Sequence, residues 1–314
     1  MASIAVESET HWHTLRAAHI GASEVAALFG ESPWETPWQL HMRKAGKLAD
    51  VDMSQNVAVQ AGTHMEPALA AWAAERWSMQ MRKVKRYLEC DDCPGLGASL
   101  DYEEYGGGLL VPVEIKWSLW GSGWEWEGET ITDYPLNYGF QVQAQMACAG
   151  AGRAWLVAFC GGDLRRVQID AIPGVIDQMK VLAAKFWDDV RGGVEPPIDF
   201  KRDSAAVVSL LQVAEDRIED LTGDARAEEL CATVADATRH EAEAKTAKDA
   251  AKAELLMKVG TAKAAKCAGW KINAGLVAPG LGTAVTPEMV GTFVGARSGY
   301  RRVTVSEMKQ GKGK

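Results

Sequence analysis

Two acidic residues and a lysine in the first half of the chain have side chains and spacing that could bind a divalent metal ion. Asp101 is followed thirteen residues later by Glu114, and Lys116 lies two positions beyond it. Because side chains alternate between the faces of a β-strand, Glu114 and Lys116 should share one face while Ile115 points into the core. A hairpin pairing this strand with the one that ends at Asp101 would bring both carboxylates together. With the Ile115 carbonyl they form the oxygen donor set that Mg²⁺ and Mn²⁺ prefer, and the amine could orient water or offset charge on a phosphate.

The same pattern of Asp, Glu and Lys also occurs on exposed strands, where the alternating charges are simply solvated. In this chain the pattern lies within residues 109–117, which are otherwise mostly apolar, as in an interior strand. Charged groups on such a strand need partners, and this favours a functional site over a solvated face.

Glu66 is a further candidate ligand, binding the metal directly or through water. It lies in residues 62–67, which open a predicted helix just before the predicted strands. The alternative is a glutamate favoured there by the helix dipole, because negative charge is stabilised near a helix N-terminus. The residues themselves leave both interpretations open.

Hydrophobic periodicity and the positions of glycine and proline predict the elements that place these residues. A small-residue helix should begin at Glu24 with Ser23 as its cap, and residues 103–108 should form the turn between the second and third strands. The order of helices, three strands, helix, two strands and helix is that of an α/β core ending near residue 200. The other predicted helices cover residues 33–46, 62–78, 135–149 and 176–190, and the strands cover residues 81–89, 97–102, 109–117, 154–160 and 164–169.

The chain beyond this core has a different composition. Residues 204–260 are rich in Ala, Glu and Lys and contain no Pro, which predicts two helices joined near residues 221–224. This pair could pack on itself or on the core, or it could offer a docking surface to another protein. We therefore predict a core at residues 1–200, a helical hairpin at 201–260, and a small β-like appendage with a flexible basic tail at 261–314. Within the appendage, the possible strands are residues 270–272 and 301–305, and the tail is residues 309–314.

Composition excludes several classes of protein. The 314 residues are 47% hydrophobic and 24% charged, as in a globular protein, and the sequence has no apolar run long enough for a membrane span. The net charge of −8 argues against a general nucleic-acid coat, although basic groups that converge locally can still bind DNA. The N-terminal segment lacks the basic and apolar parts of a secretion signal, so we expect a soluble cytoplasmic protein. Cys90 and Cys93 supply only half of a zinc site, and the sequence has no second pair nearby.

Five short motifs in the same order resemble the phage lambda exonuclease and YqaJ-like viral recombinase family, a branch of the PD-(D/E)xK nucleases. The resemblance extends over about residues 12–190. It implies a restriction-endonuclease-like α/β core with a mixed central sheet flanked by helices. The motifs are residues 12–16 followed by 20–25 (WHTLR and IGASEV), 62–67 (GTHMEP), 99–101 (SLD), 113–116 (VEIK) and 138–146 (YGFQVQAQM).

The resemblance assigns metal binding and the reaction to one group of residues. Lys116 would assist the attacking water, and Gln141 would contact that water or the scissile phosphate. Mg²⁺ is the implied ion, with Mn²⁺ as a substitute. The implied metal ligands are Asp101, Glu114, the Ile115 carbonyl and Glu66.

A second group of residues would bind the DNA end. Arg16 and Ser23 match the positions that hold a 5′-terminal phosphate in the exonucleases, and Tyr138 would border the same cleft. The chemistry is suitable, because a guanidinium forks onto phosphate oxygens and a hydroxyl at a helix N-terminus adds a donor. The alternatives are a surface salt bridge for Arg16 and a plain helix cap for Ser23.

Residues 117–126 follow the candidate strand directly and contain four tryptophans. Their rings could stack on bases or separate strands. The alternative is that they pack on the protein core.

The implied activity is metal-dependent 5′ to 3′ degradation of one strand from double-stranded DNA ends, which leaves 3′ tails for a single-strand annealing protein. A ring-shaped trimer enclosing DNA is implied by the resemblance and not by the residues themselves. An endonuclease or a nuclease of other polarity on the same core is one alternative, and a catalytically silent DNA-binding or assembly protein is another. The joint presence of Asp101, Glu114 and Lys116 argues against the silent protein.

Overall fold

The structure is a computed structural model that describes residues 2–50, 52–106, 109–118, 121–211 and 215–276. The chain divides into two compact units, Met1–Leu210 and Leu211–Lys314. None of the described helices combines the length and the apolar character needed to cross a bilayer.

Seven α-helices and eleven β-strands are described in the first unit, with a 3₁₀ turn at Ala22–Glu24. The helices are α1 Glu9–Ala18, α2 Val25–Leu28, α3 Pro37–Lys44, α4 Val57–Trp77, α5 Leu136–Ala149, α6 Pro173–Gly192 and α7 Phe200–Leu210. The strands are β1 Ala2–Ala5, β2 Ile20–Gly21, β3 Met81–Lys83, β4 Arg86–Glu89, β5 Leu96–Ser99, β6 Tyr102–Gly106, β7 Leu109–Ser118, β8 Glu125–Glu127, β9 Thr130–Asp133, β10 Arg153–Cys160 and β11 Asp163–Asp170.

The central sheet of this unit has seven strands in the order β3-β6-β7-β10-β11-β9-β8. It is mixed, because β7 pairs with β10 and β11 pairs with β9 in parallel, whereas the other described neighbours are antiparallel. Helix α4 packs on the face that carries Ile115 and Val157, and α5 packs on the face that carries Leu156 and Ala158. The predicted α/β fold, with a mixed central sheet flanked by helices, is therefore confirmed.

A smaller sheet lies beside it, with four strands in the order β1-β4-β5-β2. The chain crosses from the central sheet to the smaller one between β3 and β4, and it returns between β5 and β6. The two crossings are tied together because the Val84 N–H donates to the Asp101 carbonyl at 3.2 Å. This junction places Asp101 next to the central strand β7.

Local sequence signals explain where α3 and α4 begin. Pro37 opens α3, and the Thr36 side chain accepts a hydrogen bond from the Gln39 N–H, as expected for a capping box. Helix α4 begins at Val57, earlier than the predicted residue 62, because the Asn56 side chain caps it by accepting from two backbone N–H groups. The helix that carries Glu66 is therefore longer than predicted, and Glu66 lies in its interior.

The predicted role of Ser23 as a helix cap is wrong. Ser23 lies inside the 3₁₀ turn, and α2 begins at Val25 without a side-chain cap. The reason is the buried Glu24: its carboxylate accepts the Gly21 N–H at 2.8 Å, so the helical turn begins at Ala22 and Ser23 lies inside it.

The predicted turn at residues 103–108 is also wrong where it is described. Residues 102–106 form β6, which pairs with β7 in antiparallel register. Glu103 is 1% exposed in this strand and accepts hydrogen bonds from Arg82 and Arg86, so its charge is compensated there. The same two arginines lie on β3 and β4, so the single strand predicted at residues 81–89 is split between the two sheets.

Three of the tryptophans in residues 117–126 contact the rest of the protein. Trp117 stacks on Phe159 with ring centroids 4.9 Å apart, and Trp124 is 6% exposed. The Arg165 guanidinium lies over the Trp126 ring, 4.4 Å from its centroid. These contacts favour the interpretation that the described rings of this segment pack on the core.

The second unit contains α8 Ala225–Val259 and an antiparallel hairpin of β12 Ala264–Cys267 and β13 Trp270–Asn273. Asp224 caps α8, and none of the described residues of that helix is buried. The two helices predicted over residues 204–260 are α7 and α8, but α7 ends at Leu210 and belongs to the first unit. It is held there because the Thr36 hydroxyl donates to the buried Asp203 carboxylate at 2.7 Å. The possible strand at residues 301–305 and the tail at 309–314 lie outside the described residues, and the functional division at residues 200 and 260 stays a prediction.

Gly97 is the point of closest approach between β5 and a neighbouring side chain. A Cβ atom there would lie 2.5–2.7 Å from three atoms of the Tyr87 ring and hydroxyl. We expect Gly97→Ala to lower the free energy of unfolding by about 1–3 kcal/mol, because the rigid ring must move. The matched control is Gly62→Ala in α4, where a Cβ meets nothing within 4 Å and should raise stability by about 1 kcal/mol. Urea denaturation of both variants measures the difference, and equal effects would contradict the close approach.

Candidate active site

The candidate site is built where the two sheets meet. Asp101 lies in the bend between β5 and β6, and Glu114 lies on β7, the strand paired with β6. The Asp101 carboxylate accepts a hydrogen bond from the Ile115 N–H at 3.0 Å, which fixes it against β7. Asp101 and Glu114 lie close together as the sequence predicts, although Asp101 lies in the bend just before the pairing strand β6 and not at the end of a strand.

The Glu114 carboxylate is 2% exposed and is held by three side-chain donors. Lys116, two residues along the same strand, donates to Oε1. Gln141 donates to Oε1 at 2.6 Å, and Gln145 donates to Oε2 at 2.5 Å. The two glutamines lie four residues apart on α5, so they project from one face of that helix onto the sheet.

Gln145 was not singled out from the sequence. It is 1% exposed, and its amide nitrogen also lies 3.3 Å from the Ser99 carbonyl. Its spacing of four residues from Gln141 is the signal that could have found it, because residues at that spacing share a helix face. The structure therefore adds Gln145 to the residues that position Glu114.

The site combines strong desolvation with excess negative charge. Desolvation and the neighbouring Glu114 carboxylate raise the pKa of Asp101 to about 8, while Lys116 and the Ile115 N–H act in the opposite direction. Desolvation alone would lower the pKa of Lys116, but the carboxylates of Glu114 and Asp101 outweigh it and raise that pKa. One ammonium thus faces two carboxylates, and a further cation would stabilise the group.

The donor set fits a divalent ion that keeps water among its ligands. Within the described ranges, no group of three or more His, Cys, Asp or Glu side chains is arranged to hold a metal. Asp101 and Glu114 nevertheless offer two carboxylates with uncompensated charge, and Mg²⁺ is commonly held by one or two carboxylates together with water and phosphate oxygens. The residues that would hold the ion are therefore Asp101 and Glu114.

Glu66 faces the same cavity, but its carboxylate accepts a hydrogen bond from Lys83. It contributes to the raised pKa of Asp101, so it lies within electrostatic range of the pair. Its role as a ligand stays a prediction.

The residues predicted to bind metal and those predicted to bind the DNA end line one cavity of about 630 Å³. Arg16 stacks on Trp12, with the guanidinium 4.7 Å from the ring centroid, and lies 3.5 Å from the Ser23 hydroxyl. Tyr138 lies under Lys116, whose Nζ is 4.9 Å from the ring centroid. The predicted site residues that line this cavity are Arg16, Ser23, Glu66, Asp101, Glu114, Ile115, Lys116, Tyr138 and Gln141.

Arg16 is oriented by a buried ion-pair network that the sequence did not reveal. The Glu24 carboxylate is 5% exposed and contacts Arg43 at 2.7 Å, Lys44 at 2.8 Å and Arg16 at 3.6 Å. Desolvation acts against ionisation of Glu24, but these three cations outweigh it and lower its pKa. Arg16 is the loosest of the three, and its side chain remains 32% exposed toward the cavity.

We expect Asp101→Asn to stabilise the protein in the presence of a chelator, and more so at high pH. A carboxyl whose folded pKa of about 8 exceeds its ordinary value of 3.8 reduces stability progressively as pH rises from about 4 through 8. The amide removes this penalty, so Tm should rise by about 5 °C at pH 8 and by less at pH 5. Thermal unfolding monitored by circular dichroism provides the measurement. Asp188→Asn, at an exposed position on α6, is the control, and a gain that did not grow with pH would contradict the assignment.

Gln145→Met should weaken Mg²⁺ binding by about tenfold, because residues that orient a ligand carboxylate commonly have effects of that size. It should also lower Tm, since the buried Glu114 loses a donor. Gln143→Met is the matched control: Gln143 is 3% exposed on the same helix but bonds to the Asp170 carbonyl and the Ile172 N–H instead. Calorimetric titration with Mg²⁺ should separate the two variants, and equal Mg²⁺ affinities would exclude a positioning role for Gln145.

Comparison with known proteins places the cavity within one recognised domain. A profile of the YqaJ-like viral recombinase domain matches residues 11–152, the segment that contains the whole cavity. The protein YqaJ of Bacillus subtilis (strain 168) is 28% identical over 196 residues, which are 61% of this chain and 60% of that protein. The matched region thus spans less than two thirds of that relative.

Two solved structures are similar to this chain. One is an alkaline exonuclease, LHK-Exo, from Laribacter hongkongensis, with 18% identity, a TM-score of 0.44, and coverage of 63% of this chain and 99% of that one. The other is a phage-related exonuclease from Haemophilus somnus 129PT, with 14% identity, a TM-score of 0.38, and coverage of 56% and 96%. The matching profile and the curated relative confirm the family resemblance seen in the motifs, and residues 11–152 are the part of the chain that is similar to the YqaJ-like viral recombinase domain.

Proposed function

We propose that this protein is a metal-dependent nuclease that degrades double-stranded DNA from its ends in the 5′ to 3′ direction. The observation that carries the proposal is the convergence of Asp101, Glu114 and Lys116 on one cavity. Hydrolysis of a phosphodiester needs stabilisation of the negative charge that builds on phosphate. A divalent cation held by the two carboxylates, together with the neighbouring ammonium, would supply it.

In this proposal, different residues of the cavity have different roles in the reaction. A divalent ion held by Asp101 and Glu114 would polarise the scissile phosphate and lower the pKa of water. Lys116, whose pKa is raised, stays protonated at neutral pH, which suits a cation that offsets phosphate charge better than it suits a base. Gln141 bonds to Glu114 and lines the cavity, so its amide can hold the attacking water or a phosphate oxygen.

Recognition of a DNA end is supported by the other residues of the same cavity. Arg16 and Ser23 both line it, and the guanidinium is partly exposed. An arginine and a hydroxyl form a suitable pocket for a terminal phosphate, because charge-assisted hydrogen bonds to phosphate are short and directional. An enzyme that degrades DNA from ends needs such a pocket, whereas an endonuclease does not.

The proposed role in recombination is supported by the similarity of residues 11–152 to the YqaJ-like viral recombinase domain. Degradation of one strand would leave a 3′ single-stranded tail, the substrate of a single-strand annealing protein, which is the proposed partner. Mg²⁺ is the proposed cofactor, with Mn²⁺ as a substitute, and the proposed assembly is a ring-shaped homotrimer around DNA.

We expect the wild-type protein to digest linear duplex DNA with Mg²⁺ and to be inactive with chelator. Asp101→Ala and Lys116→Ala should each reduce the rate by at least about 100-fold, because the first removes a ligand of the metal ion and the second removes a cation that offsets charge on the phosphate. DNA binding in chelator should change much less. Lys185→Ala, which removes an exposed lysine on α6, is the control for general loss of charge.

The same assay tests the direction and the need for an end. A duplex with 5′-phosphate should be degraded faster than one with 5′-hydroxyl, and closed circles should be resistant. Cleavage of closed circles would favour an endonuclease on the same core. Binding without cleavage under any metal would favour a catalytically silent DNA-binding protein.

A further inference from the structure

Tyr87 is a buried residue that the proposed reaction leaves unused. Its side chain is 1% exposed, and its hydroxyl has no hydrogen-bond partner among the described residues. An unpaired buried hydroxyl costs free energy, so a fold that retains one needs a reason for it. Burial raises the pKa of Tyr87, and the nearby Glu24 adds to that increase, so the phenol keeps its proton and can act only as a neutral donor or acceptor.

The backbone around Tyr87 is shaped to admit the ring. Its hydroxyl lies where a side chain at Gly97 would be, only 2.6 Å from the position of an ideal Cβ. Gly97 pairs in parallel with Gly21, the residue that leads into the turn carrying Ser23. The Arg16 Nε lies 3.9 Å from the position of a Cβ on Gly21. The absence of a side chain at Gly97 thus leaves room for the phenol, and the pairing of Gly97 with Gly21 places that phenol beside the strand that leads to Ser23.

Tyr87 belongs to the wall of the cavity, with the Arg16 cation and the buried Glu24 carboxylate both in electrostatic range. Tyr87, Arg16 and Ser23 are all lining residues, and Arg16 acts on the Tyr87 pKa electrostatically. Behind Arg16, one buried carboxylate, Glu24, is shared with two further cations. An anion with several acceptor oxygens would satisfy the phenol, the hydroxyl and the guanidinium together.

We propose that Tyr87 is a third donor, beside Arg16 and Ser23, to the terminal phosphomonoester of a DNA strand. This rests on the proposed function, because the ligand is the end of the substrate. It adds a residue that determines specificity for the phosphorylated end, held by β4 of the smaller sheet and separate in sequence from the turn that carries Ser23.

Tyr87→Phe tests this, since it removes only the oxygen. Because that oxygen is unpaired in the free protein, Tm should stay equal or rise. The rate on a 5′-phosphorylated duplex at low substrate should fall about tenfold, the usual effect of losing a hydrogen bond to a charged group, and the rate on a 5′-hydroxyl duplex should stay unchanged. Tyr134→Phe, a half-buried tyrosine outside the cavity lining, is the matched control and should alter neither rate.

A binding experiment distinguishes a failure of this inference from a failure of the proposed function. In chelator, fluorescence anisotropy measures the Kd of hairpin duplexes that carry 5′-phosphate or 5′-hydroxyl, with inorganic phosphate as competitor. A loss of phosphate preference in Tyr87→Phe supports the inference even if the wild type cleaves nothing. Retention of the wild-type preference in Tyr87→Phe, or equal binding of both ends by the wild type, overturns it, whether or not the duplex is digested. A fall in Tm would also count against it, because it would show that the hydroxyl is paired in the free protein.

Discussion

Two carboxylates placed side by side on neighbouring strands are the constraint on which the site depends. Asp101 and Glu114 repel each other in a poorly hydrated position, and Lys116 compensates only part of their charge. Such an arrangement lowers stability unless another cation is bound, so its retention in a well-packed sheet indicates function more strongly than either residue would alone. The remaining contacts serve to hold this arrangement in place.

The fold supplies that support from three directions. Strand β7 carries Glu114 and Lys116, the crossing between the two sheets carries Asp101, and α5 presses two glutamines onto Glu114. Strands β4 and β5 of the smaller sheet begin and end at the same crossing. The smaller sheet therefore places the Arg16 side of the cavity next to Asp101. The proposed metal-binding and phosphate-binding ends of the cavity are therefore joined through the pairing of β2 with β5, which would fix the distance from a DNA terminus to the bond that is cut.

The sequence predicted what depends on local pattern, and it failed where distant partners decide. The strand period was enough to place Glu114 and Lys116 on one face, and the helix over residues 136–149 followed from its apolar period. The turn predicted at residues 103–108 is wrong in its described part because nothing near it in the sequence indicates that Arg82 and Arg86 neutralise Glu103. Likewise, the unpaired hydroxyl of Tyr87 depends on a glycine in another strand, and no spacing along the chain encodes that.

The central claim is that Asp101 and Glu114 together bind a divalent cation, and a crystal grown or soaked with Mn²⁺ tests it most directly. An anomalous difference map should show one peak within coordination distance of both carboxylates, at about 2.0–2.2 Å, and Asp101→Asn crystals treated identically should lack it. Crystals of the wild type with ordered side chains at both residues and no peak between them at saturating Mn²⁺ would contradict the account.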